Sequence, residues 1–154
     1  MRDALWPVCN EEKAIPEAAV YDPAAPGVHP VVIFVKQSDG NRIDTTGEPT
    51  WMPKDLASTQ LVACADISKT TLGECSYSGS SGGGTAKRVQ YSTRLRVFGA
   101  KDRQLVAETT LQDGTPPECP ETLEFRKDDP ERILDGGYPD DADIRAFVAK
   151  HADR

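Results

Sequence analysis

Four cysteines are the most reactive side chains of this 154-residue sequence, and their spacing limits the chemistry available to them. No two of them form a C-x-x-C pair, so the spacing lacks the signature of a zinc ribbon or a thioredoxin site. An even number of cysteines permits two disulfides, in three possible connectivities. We therefore expect structural bridges among Cys9, Cys64, Cys75 and Cys119.

The sequence around each cysteine favours bridges that tie irregular segments to strands. Cys64 lies in an apolar run, whereas Cys119 lies in a proline-rich extended segment that cannot join a central strand. We favour the pairs Cys9–Cys64 and Cys75–Cys119, each stabilising the fold by about 2–4 kcal/mol. The alternatives are a Cys64–Cys75 bridge across a hairpin, four buried free thiols, and a metal cluster with His29.

His29 is the candidate general base of the sequence. It lies between Val28 and Pro30, at the start of an apolar run, where it could act together with a carboxylate. The alternative is a histidine that packs or caps at a strand start, and no Gly-x-Ser-x-Gly motif accompanies it. His151 lies near the end of the chain and is expected to be a cation at a helix terminus.

Acidic residues cluster between Asp135 and Asp143, which invites a calcium-site interpretation. The cluster lacks the alternating ligands and the distal Glu of an EF-hand, and helix capping explains the aspartates equally well. Because the chain has 25 Asp and Glu residues, no pair can be singled out for glycoside hydrolysis. We therefore expect no metal, no cofactor and no catalytic residue.

An arginine-rich strand face is the best candidate for binding a partner. Every second residue from 89 to 97 is apolar or Thr, so one face of this strand should enter the core. Arg88, Arg94 and Arg96 lie on the polar face, and Tyr77 is expected at its border. This face would suit an unknown protein or a small anionic ligand, and a solvated sheet face is the alternative.

The overall charge restricts the partners further. The formal net charge is −7, which argues against binding to nucleic acid or to an anionic membrane surface. The longest aliphatic run, Val31–Val35, is far shorter than the ~20 residues of a membrane span. The first nine residues contain no apolar signal core. We expect no direct membrane insertion, with any signal or anchor absent from this sequence.

Strands are the elements that must position these residues. We expect an irregular lead-in over residues 1–29, with one helical turn at 11–14, and a single β-rich domain over 30–154. The expected strands cover residues 31–36, 60–66, 74–78, 88–97 and 105–111, with a possible edge strand at 123–125. Turns or loops are expected at 38–41, 45–59, 66–73, 79–84 and 99–103. Trp51 is expected to cover the edge of the core.

A helix is expected at the end of the chain. Ile144, Phe147, Val148 and His151 share one helical face, and Asp140 or Asp141 is expected to cap the N-terminus. The fold class is therefore α+β, with a mostly antiparallel sheet of five to seven strands and a C-terminal helix. A β-sandwich with a terminal helix is the alternative.

The order of several short motifs resembles a bacterial extracytoplasmic domain of uncharacterised function, found in secreted, lipoprotein or membrane-anchored proteins. The motifs are Gly27–Pro30, Leu61–Cys64, Cys75–Tyr77, Glu118–Pro120 and the closing helix, and together they span about residues 20–150. The resemblance implies an extracytoplasmic location (periplasmic, cell-surface or secreted) and paired cysteines. It implies no activity and no site residue.

Three functional hypotheses follow. We favour a non-enzymatic extracytoplasmic binding or interaction domain, because the sequence combines an expected cross-linked frame with no convergent catalytic set. The first alternative is a small secreted hydrolase that uses His29 with a carboxylate. The second is a cytosolic structural or inhibitory protein with free thiols.

Overall fold

The computed structural model describes residues 1–45, 47–79 and 82–154, and these form an α+β fold. The strands are β1 (Val31–Lys36), β2 (Arg42–Thr45), β3 (Leu61–Tyr77), β4 (Gly84–Gly99), β5 (Leu105–Gln112) and β6 (Glu131–Asp135). The helices are α1 (Arg2–Asn10) and α2 (Asp141–Ala152), with a 3-10 turn at Pro49–Trp51. A mostly antiparallel sheet with a C-terminal helix is thereby confirmed.

The six strands form one sheet in the order β2-β1-β3-β4-β5, with β6 also beside β4. β1 pairs with β2 antiparallel and with β3 parallel, from Val31 opposite Leu61 to Lys36 opposite Asp66. A parallel pair cannot be closed by a tight hairpin, and residues 37–60 make the crossover. β6 pairs with the first half of β4, also in parallel.

The chain divides into two compact units, and the long strands β3 and β4 contribute residues to each. The first unit comprises Met1–Ile67, Thr93–Leu111 and Asp140–Arg154. The second unit comprises Ser68–Ser92 and Gln112–Pro139.

The first unit has an apolar core on both faces of β1. Five successive residues of this strand, Val31–Val35, are buried, as expected of a central strand. Val32 and Phe34 pack in one cluster with Leu5 and Val8 of α1. Since side chains alternate along a strand, Ile33 points to the opposite face.

Trp51 and α2 contribute to the same unit. The Trp51 side chain is buried, and its Nε1–H donates to Asp153 Oδ1 at 2.8 Å, just beyond the end of α2. The helix buries Ile144 and Val148, while Phe147 and His151 are only half-buried. Asp140 caps α2 by accepting from the Ala142 N–H at 2.8 Å, which confirms one of the two predicted caps.

The alternation predicted along β4 is confirmed. The five inward positions, Val89, Tyr91, Thr93, Leu95 and Val97, are all buried. The predicted hairpin to β5 is also present, closed by a Gly99 N–H bond to the Gln104 carbonyl at 2.9 Å. The alternation expected along β5 is weaker, because Leu105 is exposed.

The lead-in contains a helix, so the prediction of irregular structure is wrong for Arg2–Asn10, whereas residues 11–29 contain no helix and no strand. Helix α1 contains Pro7, which lacks the N–H that a helix interior uses and normally disfavours this structure. Full burial of Leu5 and Val8 and a bridge at Cys9 hold the helix against that preference. The helical turn predicted at 11–14 does not form.

One long strand replaces the turn predicted at 66–73 and the separate strand predicted at 74–78. β3 continues through five exposed residues, 68–72, which lie within the predicted turn. Thr70 and Thr71 are β-branched and suit an extended backbone, and β4 pairs alongside. The Ser68 and Ser92 hydroxyl oxygens lie 2.8 Å apart across this pair.

One further prediction in the polar stretches is wrong, and two strands there were not predicted. Residues 123–125 are not a strand; a strand, β6, instead follows at 131–135. β2 forms at Arg42–Thr45, where no strand was predicted; only Thr45 falls within the loop predicted at 45–59, of which residue 46 lies outside the described residues. Neither strand has the apolar alternation that reveals strands such as β4. Of the predicted loop at 79–84, residues 80 and 81 lie outside the described residues, and Gly84 already belongs to β4.

Each unit contains one disulfide. Cys9 is bonded to Cys64 in the first unit, and Cys75 to Cys119 in the second, with Cα–Cα distances of 5.6 and 5.7 Å. These are the pairs favoured from the sequence. No cysteine is free, which excludes the alternative with free thiols.

Candidate functional site

Two of the predicted binding arginines, Arg94 and Arg96, form ion pairs in the first unit. Arg94 Nη2 lies 2.9 Å from the Glu108 carboxylate, and Arg96 Nη2 lies 2.7 Å from that of Asp66. The Arg96 guanidinium also lies 5.5 Å from the Phe98 ring centroid. Both cations are therefore already matched by neighbouring carboxylates.

The other two predicted residues, Arg88 and Tyr77, hold the proline segment of the second unit. Arg88 donates to the Pro117 carbonyl at 2.7 Å and to the Pro116 carbonyl at 3.3 Å. The Tyr77 hydroxyl donates to the Pro120 carbonyl at 2.7 Å. Since Cys119 lies in the same segment, these bonds and the disulfide fix it together.

His29 is buried in the first unit rather than presented to solvent. Its Nδ1 lies 2.7 Å from Gln60 Oε1, and its ring meets Tyr21 edge-on at 5.0 Å. The backbone N–H of His29 donates to the Ala152 carbonyl at 2.8 Å. The side chain thus contacts an amide and a phenol, and among the described residues it forms no hydrogen bond with a carboxylate.

The aspartates considered for calcium serve local structure. Asp140 caps α2, and Asp135 Oδ1 accepts from the Gly137 N–H at 3.1 Å. Among residues 1–45, 47–79 and 82–154, no group of three or more His, Cys, Asp or Glu side chains is arranged to hold a metal ion.

A cleft in the second unit has the size and the charged lining of a site for a small ligand. Its volume is about 450 Å³, within the range of small-molecule sites. It is lined by one aromatic residue and four charged residues: Glu124, Phe125, Arg126, Asp129 and Arg132. We call it the Phe125 cleft.

Phe125 is positioned by its neighbours rather than by a strand. Its ring lies 5.6 Å from that of Tyr77, which is itself fixed to Pro120. Gly84 leaves room for the ring, because a Cβ at this position would overlap both Phe125 and the Pro130 carbonyl. Tyr77, which we expected at a binding surface, contacts Phe125 without lining the cleft itself.

The walls of the cleft come from a turn and from β6. Arg126 and Asp129 form an isolated antiparallel bridge, with the Asp129 N–H donating to the Arg126 carbonyl at 3.1 Å. Arg132, within β6, donates to the Glu124 carbonyl at 2.9 Å. β6 is in turn fixed by parallel pairing with β4, and Thr85 donates to the Pro130 carbonyl.

Sequence reasoning missed this cleft. Phe125 is an isolated aromatic residue in a polar stretch, and no periodic pattern places it near Tyr77 or Gly84. The one available signal was compositional: an aromatic residue flanked by Glu124 and Arg126, with Asp129 and Arg132 close behind.

A smaller cavity of about 290 Å³ lies in the first unit, between Tyr21, Leu105, Val106 and the turn that precedes β5. Its charged groups are already engaged, since Asp102 accepts from the Gln104 N–H and Arg154 donates to the Pro23 carbonyl. It therefore offers a ligand fewer uncommitted polar groups than the Phe125 cleft does.

Burial shifts the pKa values of Tyr91 and His151, and neither side chain lines the Phe125 cleft. Burial raises the pKa of Tyr91, with smaller contributions from the negative charge of Asp135 and from Tyr138. Burial lowers the pKa of His151, and the positive charges of Arg154 and Lys150 add to this effect. Neither shift indicates a catalytic acid or base in the cleft.

Three comparisons with known proteins leave the geometry as the guide to function. Within the described residues, neither helix combines the length and apolar character needed to cross a membrane. No protein-family model matches the chain, and neither curated proteins nor solved structures gave a match.

Proposed function

We propose that this chain is a non-enzymatic, extracytoplasmic binding domain that takes a small ligand bearing an anionic group in the Phe125 cleft. The two disulfides support the location, because such bridges persist in oxidising compartments and are rare in the cytosol. The resemblance to bacterial extracytoplasmic domains is consistent with this location.

One observation carries the proposal of a binding site: two guanidinium groups without ion-pair partners line a cleft beside an aromatic ring. Arg126 and Arg132 have no carboxylate within 4 Å among the described residues. By contrast, Arg88, Arg94 and Arg96 each form an ion pair. Guanidinium groups bind carboxylates through paired, charge-assisted hydrogen bonds, and the Phe125 ring offers apolar contact beside them.

The remaining chemistry supports binding rather than catalysis. All four thiols are in disulfides, so none is available as a nucleophile. A hydrolase based on His29 gains no support from its surroundings, because that side chain is buried against Gln60. A general base must reach the proton that it removes.

Titration with a matched pair of ligands tests the proposal. We expect 3-phenylpropanoate, but not its neutral amide 3-phenylpropanamide, to shift the backbone amide resonances around Phe125 and Arg132. Replacing both cations, Arg126→Gln with Arg132→Gln, should weaken binding about tenfold or more, since hydrogen bonds to charged groups contribute about 1.5–3 kcal/mol.

Arg94→Gln is the matched control variant, because Arg94 is equally cationic but is paired with Glu108 in the first unit. It should leave the affinity for 3-phenylpropanoate unchanged. Equal binding of the acid and the amide would contradict the proposal. So would full binding by the variant that lacks both cleft arginines.

A further inference from the structure

The Phe125 cleft is lined by carboxylates as well as by arginines. Two of its charged side chains are cations, Arg126 and Arg132, and two are anions, Glu124 and Asp129, yet none forms an ion pair within the part of the chain that the structure describes. Opposite charges that line one cleft without pairing with each other can each contact a ligand.

Ion pairs elsewhere in the protein show that this separation is not general. Arg94 and Glu108 lie 2.9 Å apart, and Arg88 and Glu118 lie 3.1 Å apart. In the Phe125 cleft the contacts of these four residues run through backbone groups instead. Arg132 uses its Nη1 donor on the Glu124 carbonyl oxygen, while Arg126 and Asp129 pair through their backbones.

The charge balance of the lining selects among ligands. With two positive and two negative side chains, the lining has no net charge. A simple anion is attracted by the arginines and repelled by the carboxylates. A simple cation is attracted by the carboxylates and repelled by the arginines. A ligand that carries both charges satisfies both sets at once, which is electrostatic complementarity of the kind that gives specificity.

We infer that the Phe125 cleft binds a zwitterion, namely an α-amino acid with an apolar side chain. Its carboxylate lies toward Arg126 and Arg132, its ammonium toward Glu124 and Asp129, and its side chain against the Phe125 ring. The volume of about 450 Å³ accommodates a ligand of this size. This inference rests on the proposed function, because the arginines bind the carboxylate in both.

A set of ligands on the unaltered chain tests the inference. L-phenylalanine carries both charges, 3-phenylpropanoate lacks the ammonium, and 2-phenylethylamine lacks the carboxylate. In calorimetric titration we expect L-phenylalanine to bind at least tenfold more tightly than either of the other two. Binding of 3-phenylpropanoate as tight as that of L-phenylalanine would overturn the zwitterion while leaving the proposed function intact.

Variants in which the acidic residues of the cleft are neutralised locate the ammonium site. Glu124→Gln with Asp129→Asn should reduce the affinity for L-phenylalanine about tenfold, to the level of the affinity for 3-phenylpropanoate. The affinity of the same double variant for 3-phenylpropanoate should be unchanged or higher. The control, Glu121→Gln with Asp128→Asn, removes the same charge from exposed neighbours that do not line the cleft. Equal loss in both double variants would overturn the inference.

One further result separates failure of the proposed function from failure of the zwitterion alone. If neither L-phenylalanine nor 3-phenylpropanoate binds the unaltered chain, the proposed function fails, and the zwitterion fails with it. The ligand set uses the unaltered protein, so it decides the matter even if a variant does not fold. Circular dichroism and the intact mass of each variant, which reports both disulfides, establish which variants are folded.

Discussion

The two compact units each contain one disulfide, but different forces surround it. In the first unit, Cys64 is buried in a cluster with Phe34 and Val62, and packing against α1 completes the core. In the second unit, Cys119 is exposed, and the segment that carries it is held by bonds from Arg88 and Tyr77 to backbone carbonyls. Apolar packing dominates the first unit, and directed polar bonds dominate the second.

This difference explains where a ligand site can form. A close-packed core leaves little space, whereas a region built from side-chain bonds to backbone carbonyls can enclose polar groups that remain uncommitted. Buried side chains of the second unit are few, chiefly Cys75, Ala86, Val89 and Tyr91. The Phe125 cleft lies in this more sparsely packed unit.

The largest expected effect comes from removing the disulfides one at a time. The bridges close loops of similar length, with sequence separations of 55 and 44 residues, so chain entropy alone predicts similar losses of about 4 kcal/mol. We expect Cys9→Ala with Cys64→Ala to cost more in urea unfolding, because it also leaves a cavity in the core beside Phe34.

Hydrogen exchange measured by mass spectrometry sharpens this contrast. Cys75→Ala with Cys119→Ala should accelerate exchange within residues 112–139 while β1 keeps its protection. Cys9→Ala with Cys64→Ala should accelerate exchange in α1 and β1. Uniform acceleration across the chain in both variants would contradict the idea that the units are stabilised differently.

An intermediate effect is expected from the arginines that the sequence groups on one strand face. Arg88→Gln leaves the Pro116 and Pro117 carbonyls without their donor, and its side chain is only 16% exposed, so we expect a loss of about 1–3 kcal/mol. Arg94→Gln breaks an ion pair whose arginine is 58% exposed, for a loss of about 0–1 kcal/mol.

Urea unfolding of the two arginine variants, monitored by circular dichroism, measures these losses in the same buffer. Added salt should reduce the small contribution of Arg94, since exposed charges are screened. It should affect the contribution of Arg88 less, because that side chain bonds mainly to carbonyl oxygens. A larger loss for Arg94→Gln than for Arg88→Gln would contradict the assignment of directed polar bonds to the second unit.

The same contrast decides what the sequence could predict. The residues of β1 and β4 follow the apolar patterns of strands because their side chains enter the core, and both strands were predictable for that reason. β6 and the Phe125 cleft depend on single long-range contacts, such as Tyr77 to Phe125 and Gly84 to Phe125. Such contacts leave no periodic trace in the sequence.

Helix α1 shows a different limit. Local preference argued against a helix containing Pro7, yet tertiary burial of Leu5 and Val8 prevailed. The disulfide pairing could be favoured from the sequence because each bridge ties a segment outside the sheet to a strand. The fold contains both of these pairs. On the predicted arginine face, the carboxylates of Glu108 and Asp66 pair with Arg94 and Arg96, partners that the strand pattern alone did not reveal.

The smallest expected effects are on the pH dependence of stability, and they have opposite signs in the two units. In the first unit, burial lowers the pKa of His151 in the folded state, and the positive charges of Arg154 and Lys150 lower it further. The unfolded chain therefore binds a proton more readily, and stability falls as the pH falls from about 6.5 toward the lower folded pKa. Solvent screening of this half-buried ring keeps the effect below that of Arg88→Gln.

In the second unit, burial raises the pKa of Tyr91 above its usual value, and electrostatic interactions with Asp135 and Tyr138 raise it further. The unfolded chain then releases the phenolic proton first, so stability falls as the pH rises above about 10. His151→Gln should flatten only the acid side of the stability profile, and Tyr91→Phe only the alkaline side. Urea unfolding at intervals from pH 5 to pH 11 measures both. Because these side chains belong to separately stabilised units, we expect their two effects on stability to be independent. Loss of the alkaline dependence in His151→Gln would contradict that independence.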